Sequence, residues 1–355
     1  GEYRRYDKEQ PILPKEFNIK GIHCLLSLDG NILNPGFSLG EMTDKLGRNP
    51  EEALAYLDTL QGAFAGIYMN PHKMVGFRDP WGLKPLCVGR VDEGFIFASE
   101  TCAIDSCGGT LIKMLDIGEA AIVTGGRLTF HKYSTRDFHR SCLMEMVYVS
   151  RPDSYMDGVS VYNARNEMGR LLYHEHPSTA DIVMGAPDSG LTAAVGYAEA
   201  SKIPYKDGII KNRYIGRTFI NPDAPMRSKD LYIKLNPIRE VLEGKRIIVV
   251  DDSIVRGSTI KRTIRMLRGA GAKEVHVRIS SPMLKHCCQL SLDLPFSEEL
   301  MAYKKDVEEI RQEIGADSLY YLSLEGLKTA SRGTNYCDMC FTTQSPFREE
   351  AVQYE

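Results

Sequence analysis

The densest chemistry in this sequence lies in one stretch, Ile247-Ile248-Val249-Val250-Asp251-Asp252-Ser253-Ile254-Val255-Arg256-Gly257-Ser258-Thr259. Its first four residues are β-branched and apolar, the pattern of a buried strand. The run ends in two adjacent carboxylates, and a short loop then leads to Gly-Ser-Thr at a helix start. Ligands of open parallel sheets sit beyond the carboxyl ends of the strands. Amides in such a loop and at a helix N-terminus point outward and favour a phosphate. Gly257 lets the backbone approach closely, and Ser258 and Thr259 add hydroxyl donors. Two adjacent acids do not attract an anion; their natural partners are sugar hydroxyls or a Mg²⁺ ion held near them. Taken singly, the five residues Asp-Asp and Gly-Ser-Thr also suit a plain solvated loop capping a helix.

Two further groups of residues could do chemistry. Lys211, Arg213 and Arg217 place three cations beside Gly216. A basic loop of this kind is either solvated surface or a lid that adds charge over an anionic leaving group and excludes water. Cys337-Asp338-Met339-Cys340 is a CxxC, which alone fits a metal site, a redox pair or coincidence. His72, His131 and His174 have no ligand spacing, and the single tryptophan, Trp81, reads as packing.

These side chains need a scaffold. From about residue 158 the pattern alternates helix and strand. Val159 to His174 predicts a helix with Tyr162, Met168, Leu171 and Leu172 on its apolar side. Ala180 to Ala186, Ile247 to Val250 and Glu274 to Ser280 predict strands, and Leu191 to Ser201 and Thr259 to Leu267 predict helices. Apolar strands alternating with helices imply a parallel sheet covered on both faces. Residues 1–144 differ: short strands such as Ile22 to Leu28, Ala63 to Met69, Phe95 to Ala98 and Ala120 to Val123, separated by turn signals, with one helix from Pro50 to Leu60. That half reads as α+β with antiparallel strands. The expected division is therefore 1–144 and 145–355.

The bulk numbers bound the function. A chain of 355 residues accommodates two domains. The net charge of -3 gives no broad basic field, so nucleic acid is not the expected partner. No apolar run approaches the roughly 18 residues of a membrane span, and the first residues have no apolar signal segment. Nine cysteines, an odd number, do not form a disulfide framework; reduced thiols fit a cytoplasmic protein.

The string Asp251 to Thr259 resembles the phosphoribosyl pyrophosphate (PRPP) signature of type I phosphoribosyltransferases. By that resemblance Asp251 and Asp252 hold the ribose hydroxyls, with Mg²⁺ near Asp251, Asp252 and Ser189, and Ser253, Ile254, Val255, Arg256, Gly257, Ser258 and Thr259 cradle the 5-phosphate. Tyr148 to Ser154, Gly185-Ala186-Pro187-Asp188-Ser189-Gly190, Lys211 to Ile220, Lys234 to Asn236, Val275 to Pro282 and Ile314 to Leu319 are similar to segments of glutamine PRPP amidotransferases. The resemblance makes Pro187, Asp188 and Ser189 a pyrophosphate loop. It makes Lys211, Tyr214 and Arg217 members of a catalytic lid. The implied fold is an α/β type I phosphoribosyltransferase domain preceded by an α+β remnant of an N-terminal-nucleophile glutaminase domain. Tyr232 stands where the family usually has Arg.

The first half resembles that glutaminase only in part. Gly76 to Leu86 and Phe97 to Ala103 match its later segments, with Lys84 for the usual Arg. Leu28-Asp29-Gly30-Asn31 resembles an altered His-Asn-Gly-Asn motif, which supplies the oxyanion hole. A carboxylate at Asp29 would repel a developing oxyanion, where a preorganised donor is worth about 3 kcal/mol. The nucleophilic cysteine of the family opens its mature chain; Gly1 stands first here, and the expectation is a chain without glutaminase activity of its own. Nitrogen would come from free ammonia or from a separate glutaminase subunit.

In one branch of the family the CxxC pair and two distant cysteines hold a [4Fe-4S] cluster, and the corresponding four are Cys142, Cys288, Cys337 and Cys340. A Cys₄ zinc site fits the same count. The resemblance also implies a homo-oligomer, a tetramer. The leading expectation is an enzyme that makes 5-phosphoribosylamine and pyrophosphate from PRPP and ammonia. A non-catalytic PRPP-binding regulatory subunit and a transferase to another acceptor are the alternatives.

Overall fold

The structure is a computed structural model that describes residues 14–343 apart from 137–140, 212–234, 289, 291, 293 and 334. Period-two alternation organises the first half. Strands β1 (Lys15–Ile19), β2 (Ile22–Ile32), β3 (Gly62–Met69), β4 (Lys73–Arg78), β8 (Glu119–Thr124) and β9 (Arg127–Lys132) pair antiparallel in the order β1-β2-β3-β4-β8-β9. Strands β5 (Cys87–Val91), β6 (Gly94–Ala98) and β7 (Thr110–Met114) form a second sheet in the order β6-β5-β7. Side chains on alternate positions face opposite layers. Phe64, Tyr68, Val75, Phe77 and Ile122 pack on Met42, Leu46, Ala53 and Leu57 of the helices Leu39–Gly47 and Pro50–Asp58. Ala65, Ile67 and Ala121 pack instead on Val88 and Phe97 of the smaller sheet and on Leu86 and Leu115 at its ends.

The expected strands are present with slightly moved ends, and β2 runs on to Ile32. The expected helix over Pro50 to Leu60 stops at Asp58; Asn49 caps it by accepting from the Glu52 amide at 2.9 Å.

In the second half, β13 (Ile182–Gly185), β16 (Arg246–Asp251), β17 (Glu274–Ile279) and β18 (Ser318–Tyr321) form a parallel sheet in that order. Its central strands are apolar on both faces because each face is covered. Val183, Ile248 and Val250 join a core with Val161, Met168, Leu172 and Tyr197. Ile182, Ile247, Val249 and Val277 face Ile260, Ile264 and Leu267 of the helix Ser258–Gly269.

The helix expected from Val159 spans Val161–Glu175, capped by Ser160. Its buried stripe is Val161, Ala164, Arg165, Met168 and Leu172. Tyr162, expected on the apolar side, is exposed, because it is displaced from that stripe by one residue. A five-residue π-helix, Glu145–Val149, follows the end of the first half. Strand β10 (Ser141–Cys142) pairs in parallel with β19 (Tyr336–Cys337), fastening the junction to the C-terminal segment.

Candidate functional site

The loops after β13 and β16 meet at the carboxyl edge of the parallel sheet, where they bound an open cavity of about 480 Å³. Asp251, Asp252, Ser253, Ile254, Val255, Arg256, Gly257, Ser258, Thr259, Pro187 and Ser189 all line it. Ser258 and Thr259 are exposed at the start of the helix, where the free amides of the first turn lie. Gly257 adopts a φ of +74°, a left-handed conformation that a side chain disfavours. The loop is pinned from behind: the Met301 amide donates to the Val255 carbonyl at 2.7 Å. Arg256 pairs with Glu299 at 2.8 Å on the exposed rim.

The acid pair is built into the wall. Asp252 is buried, and its carboxylate accepts from the Ser189 and Ser253 hydroxyls. The Asp252 amide donates to Asp251 Oδ1 at 2.9 Å. Burial, and then the charge of Asp252, push the Asp251 carboxyl well above the ordinary carboxylate range. An all-oxygen set of this kind suits a hard cation such as Mg²⁺, shared with a substrate.

The other expected residues are placed differently. Asp188 does not line the cavity; its exposed carboxylate pairs with the Lys211 ammonium. The Pro187–Asp188 peptide is cis. Tyr214 and Arg217, with Arg213, Tyr232 and Lys234, lie outside the described residues.

Cys142 faces Cys337 across the β10–β19 pair, and burial pushes its thiol well above the usual range, with Cys337, Cys340 and Cys288 adding to the rise. Cys340 is raised in the same way, by burial first and then by Cys337 and Cys288. The Leu290 and Leu292 amides each donate to the Cys288 sulfur at 3.4 Å. Cys142 and Cys337 are thus register partners on paired strands, and Cys288 is already provided with donors that suit a thiolate. This donor set fits a four-thiolate cluster. Among the described residues, no three His, Cys, Asp or Glu side chains are arranged to hold a metal ion as they stand.

Some wall residues were not singled out as site residues from the sequence. Met144 and Tyr148 flank the cavity from the junction, and Leu294 and Pro295 close it from the segment after β17. Arg165 is a buried cation that donates to the Met146 carbonyl at 2.8 Å and the Ser150 carbonyl at 2.7 Å. Its signal was available: an Arg within the apolar stripe of a helix needs buried acceptors. Leu294 and Pro295 carry no local signal.

Residues 161–291 match the phosphoribosyl transferase domain family, and residues 39–106 match the glutamine amidotransferase domain family. The amidophosphoribosyltransferase of Methanocaldococcus jannaschii is 43% identical over 351 residues, covering 94% of this chain and 74% of that protein. This chain belongs to the amidophosphoribosyltransferase family. The Archaeoglobus fulgidus amidophosphoribosyltransferase is 47% identical over 293 residues, covering 81% of this chain and 64% of that one. The chain spans somewhat under two thirds of the length of the first such relatives. Among solved structures, the glutamine PRPP amidotransferase from B. subtilis, complexed with ADP and GMP, superposes with a TM-score of 0.85 at 40% identity, covering 94% of this chain and 80% of that one. The architecture is therefore a type I phosphoribosyltransferase domain behind a glutamine amidotransferase-like domain, as the amidophosphoribosyltransferase resemblance implied. Among the described residues, no helix is long and apolar enough to cross a membrane.

Proposed function

We propose that this chain transfers the 5-phosphoribosyl group of PRPP to ammonia, giving 5-phosphoribosylamine and pyrophosphate. One observation carries the reading: the phosphate-type loop Ser253 to Thr259, the acid pair Asp251–Asp252, and Pro187 and Ser189 all bound a single cavity. Amides of the loop and helix start grip the 5-phosphate. Asp251 and Asp252 accept hydrogen bonds from the ribose hydroxyls. The C1–oxygen bond breaks with its electron pair on pyrophosphate, and the ammonia lone pair forms the new C1–nitrogen bond, with one proton released. Positive charge develops on the sugar, and charge builds on the leaving oxygens. Lys211, Tyr214 and Arg217 are proposed to meet that leaving group. Mg²⁺ held near Asp251, Asp252 and Ser189 would add electrostatic stabilisation of the pyrophosphate. No side-chain nucleophile is needed. Pyrophosphate release from PRPP, Mg²⁺ and ammonium tests this; binding without release, or release only with another acceptor, contradicts it.

The finer proposals rest on other residues. Asp29 stands where the resemblance places an oxyanion donor, and its carboxylate is taken up by Lys84 at 3.1 Å. That arrangement supports a first half without glutaminase activity, supplied with free ammonia or by a separate glutaminase subunit. Robust glutamine hydrolysis by the purified chain would contradict it. Cys142, Cys288, Cys337 and Cys340 are proposed to hold a structural [4Fe-4S] cluster, supported by the pairing of Cys142 with Cys337 and the amide donors to Cys288. A brown anaerobic preparation with about four irons per chain is expected; a colourless, iron-free one contradicts it. A cytoplasmic homotetramer divided at 144/145 completes the proposal. The change from antiparallel strands before that point to a parallel sheet after it supports the division, although Cys142, Leu143 and Met144 share a core with the second half.

A further inference from the structure

Lys84 is a buried cation in the first half, 5% exposed. Its ammonium lies 3.1 Å from Asp29 Oδ2 and 3.9 Å from Glu145 Oε1. The two partners differ. Asp29 has half its side chain exposed, whereas Glu145 is buried. Water can serve Asp29, but among the described residues the Glu145 carboxylate is met by Lys84 and by the Ser150 hydroxyl, which donates at 3.2 Å. A buried carboxylate without its cation is destabilised far more than an exposed one.

Glu145 opens the π-helix Glu145–Val149. Such turns are rare and are frequently found at functional sites. The residue before it, Met144, and one within it, Tyr148, line the cavity that also holds Asp251 and Asp252. Arg165 holds the same segment from the second half through the Met146 and Ser150 carbonyls. The cavity wall is therefore clamped by two buried cations, one from each half of the chain.

We propose that Lys84 is a positioning residue for the phosphoribosyl site, acting through Glu145 to fix the wall formed by Met144 and Tyr148. The proposal rests on the reading of that cavity as the PRPP site. Without Lys84, Glu145 must take up a proton or swing toward water. Either change releases the π-helix at its first residue, so the wall shifts and PRPP is held less well. The first half thereby serves the transferase site even where it hydrolyses no glutamine.

The test uses the full chain with Lys84→Met, Lys84→Arg and Asp29→Asn. Calorimetry with Mg-PRPP and pyrophosphate release with ammonium are measured on each. Lys84→Met is expected to raise both Kd and KM for PRPP about tenfold, with kcat changed less than about threefold. Lys84→Arg restores affinity to within about threefold of the parent, and Asp29→Asn leaves it unchanged. If Lys84→Met does not fold, Glu145→Gln removes the buried charge with little change of shape. It should raise Kd for PRPP and speed hydrogen exchange at the Met146 to Ser150 amides. Parental affinity in a folded Lys84→Met or Glu145→Gln chain overturns the proposal while leaving the site reading intact. A parent chain that binds no PRPP overturns both.

Discussion

The Ser189 hydroxyl donates to the Asp252 carboxylate, tying the loop after β13 to the loop after β16 across the cavity. Asp252 also receives the Ser253 hydroxyl, and its own amide is engaged by Asp251. The acid pair is thus oriented before a ligand arrives, which lowers the entropy lost on binding. Ser189→Ala removes one of these supports without touching the loop proposed to grip the phosphate. It should weaken Mg-PRPP binding by about threefold to tenfold and cost about 1 kcal/mol of stability. Calorimetry and denaturant unfolding of the same preparation check both.

Asp251 should trade stability for binding. Burial and the neighbouring Asp252 raise its carboxyl well above the ordinary 3.8. A group whose folded pKa is raised contributes stability below its unfolded pKa and loses it as pH rises through the folded value. Between those two values the folded chain loses stability as the pH rises. Asp251→Asn should stabilise the ligand-free chain by about 1 kcal/mol at about pH 7, with the gain vanishing below about pH 4, while weakening PRPP binding. Thermal unfolding across that range checks the sign; destabilisation at pH 7 would contradict it.

The parallel sheet was legible because Ile247 to Val250 is apolar at every position, the mark of a strand covered on both faces. The acid pair and loop were legible because they follow that strand directly. Tyr162 misled because one residue of phase on a helix separates a buried side chain from an exposed one. The approach of Lys84 to Asp29 and Glu145 was not legible. It joins β2, a loop after β4 and the π-helix, and local periodicity does not encode such distant meetings. Leu294 and Pro295 were missed for the same reason. Asp188 was expected in the pocket from its place in the loop, but its charge is answered by Lys211, whose position depends on β14 (Ile209–Lys211) pairing with β15 (Leu235–Pro237).

Gly257 is constrained twice. Its φ is +74°, and a Cβ there would lie 2.1 Å from Met301 Cε. Gly257→Ala should cost about 1–2 kcal/mol from the left-handed backbone alone, plus a share from the methionine. Adding Met301→Ala should recover the steric share and not the backbone share, which a double-mutant cycle measures. Because Met301 is pinned to Val255, the single variant should also weaken PRPP binding. Unchanged stability and affinity would contradict this account of the loop.

The most direct test is a calorimetric titration of Mg-PRPP into the chain and into a folded Asp251→Ala, Asp252→Ala variant. The account predicts saturable one-site binding to the parent and a loss of at least about a hundredfold in the variant, since several hydrogen bonds to the sugar go together. Equal affinity in the two would mean that the sugar phosphate is not held at this edge of the sheet.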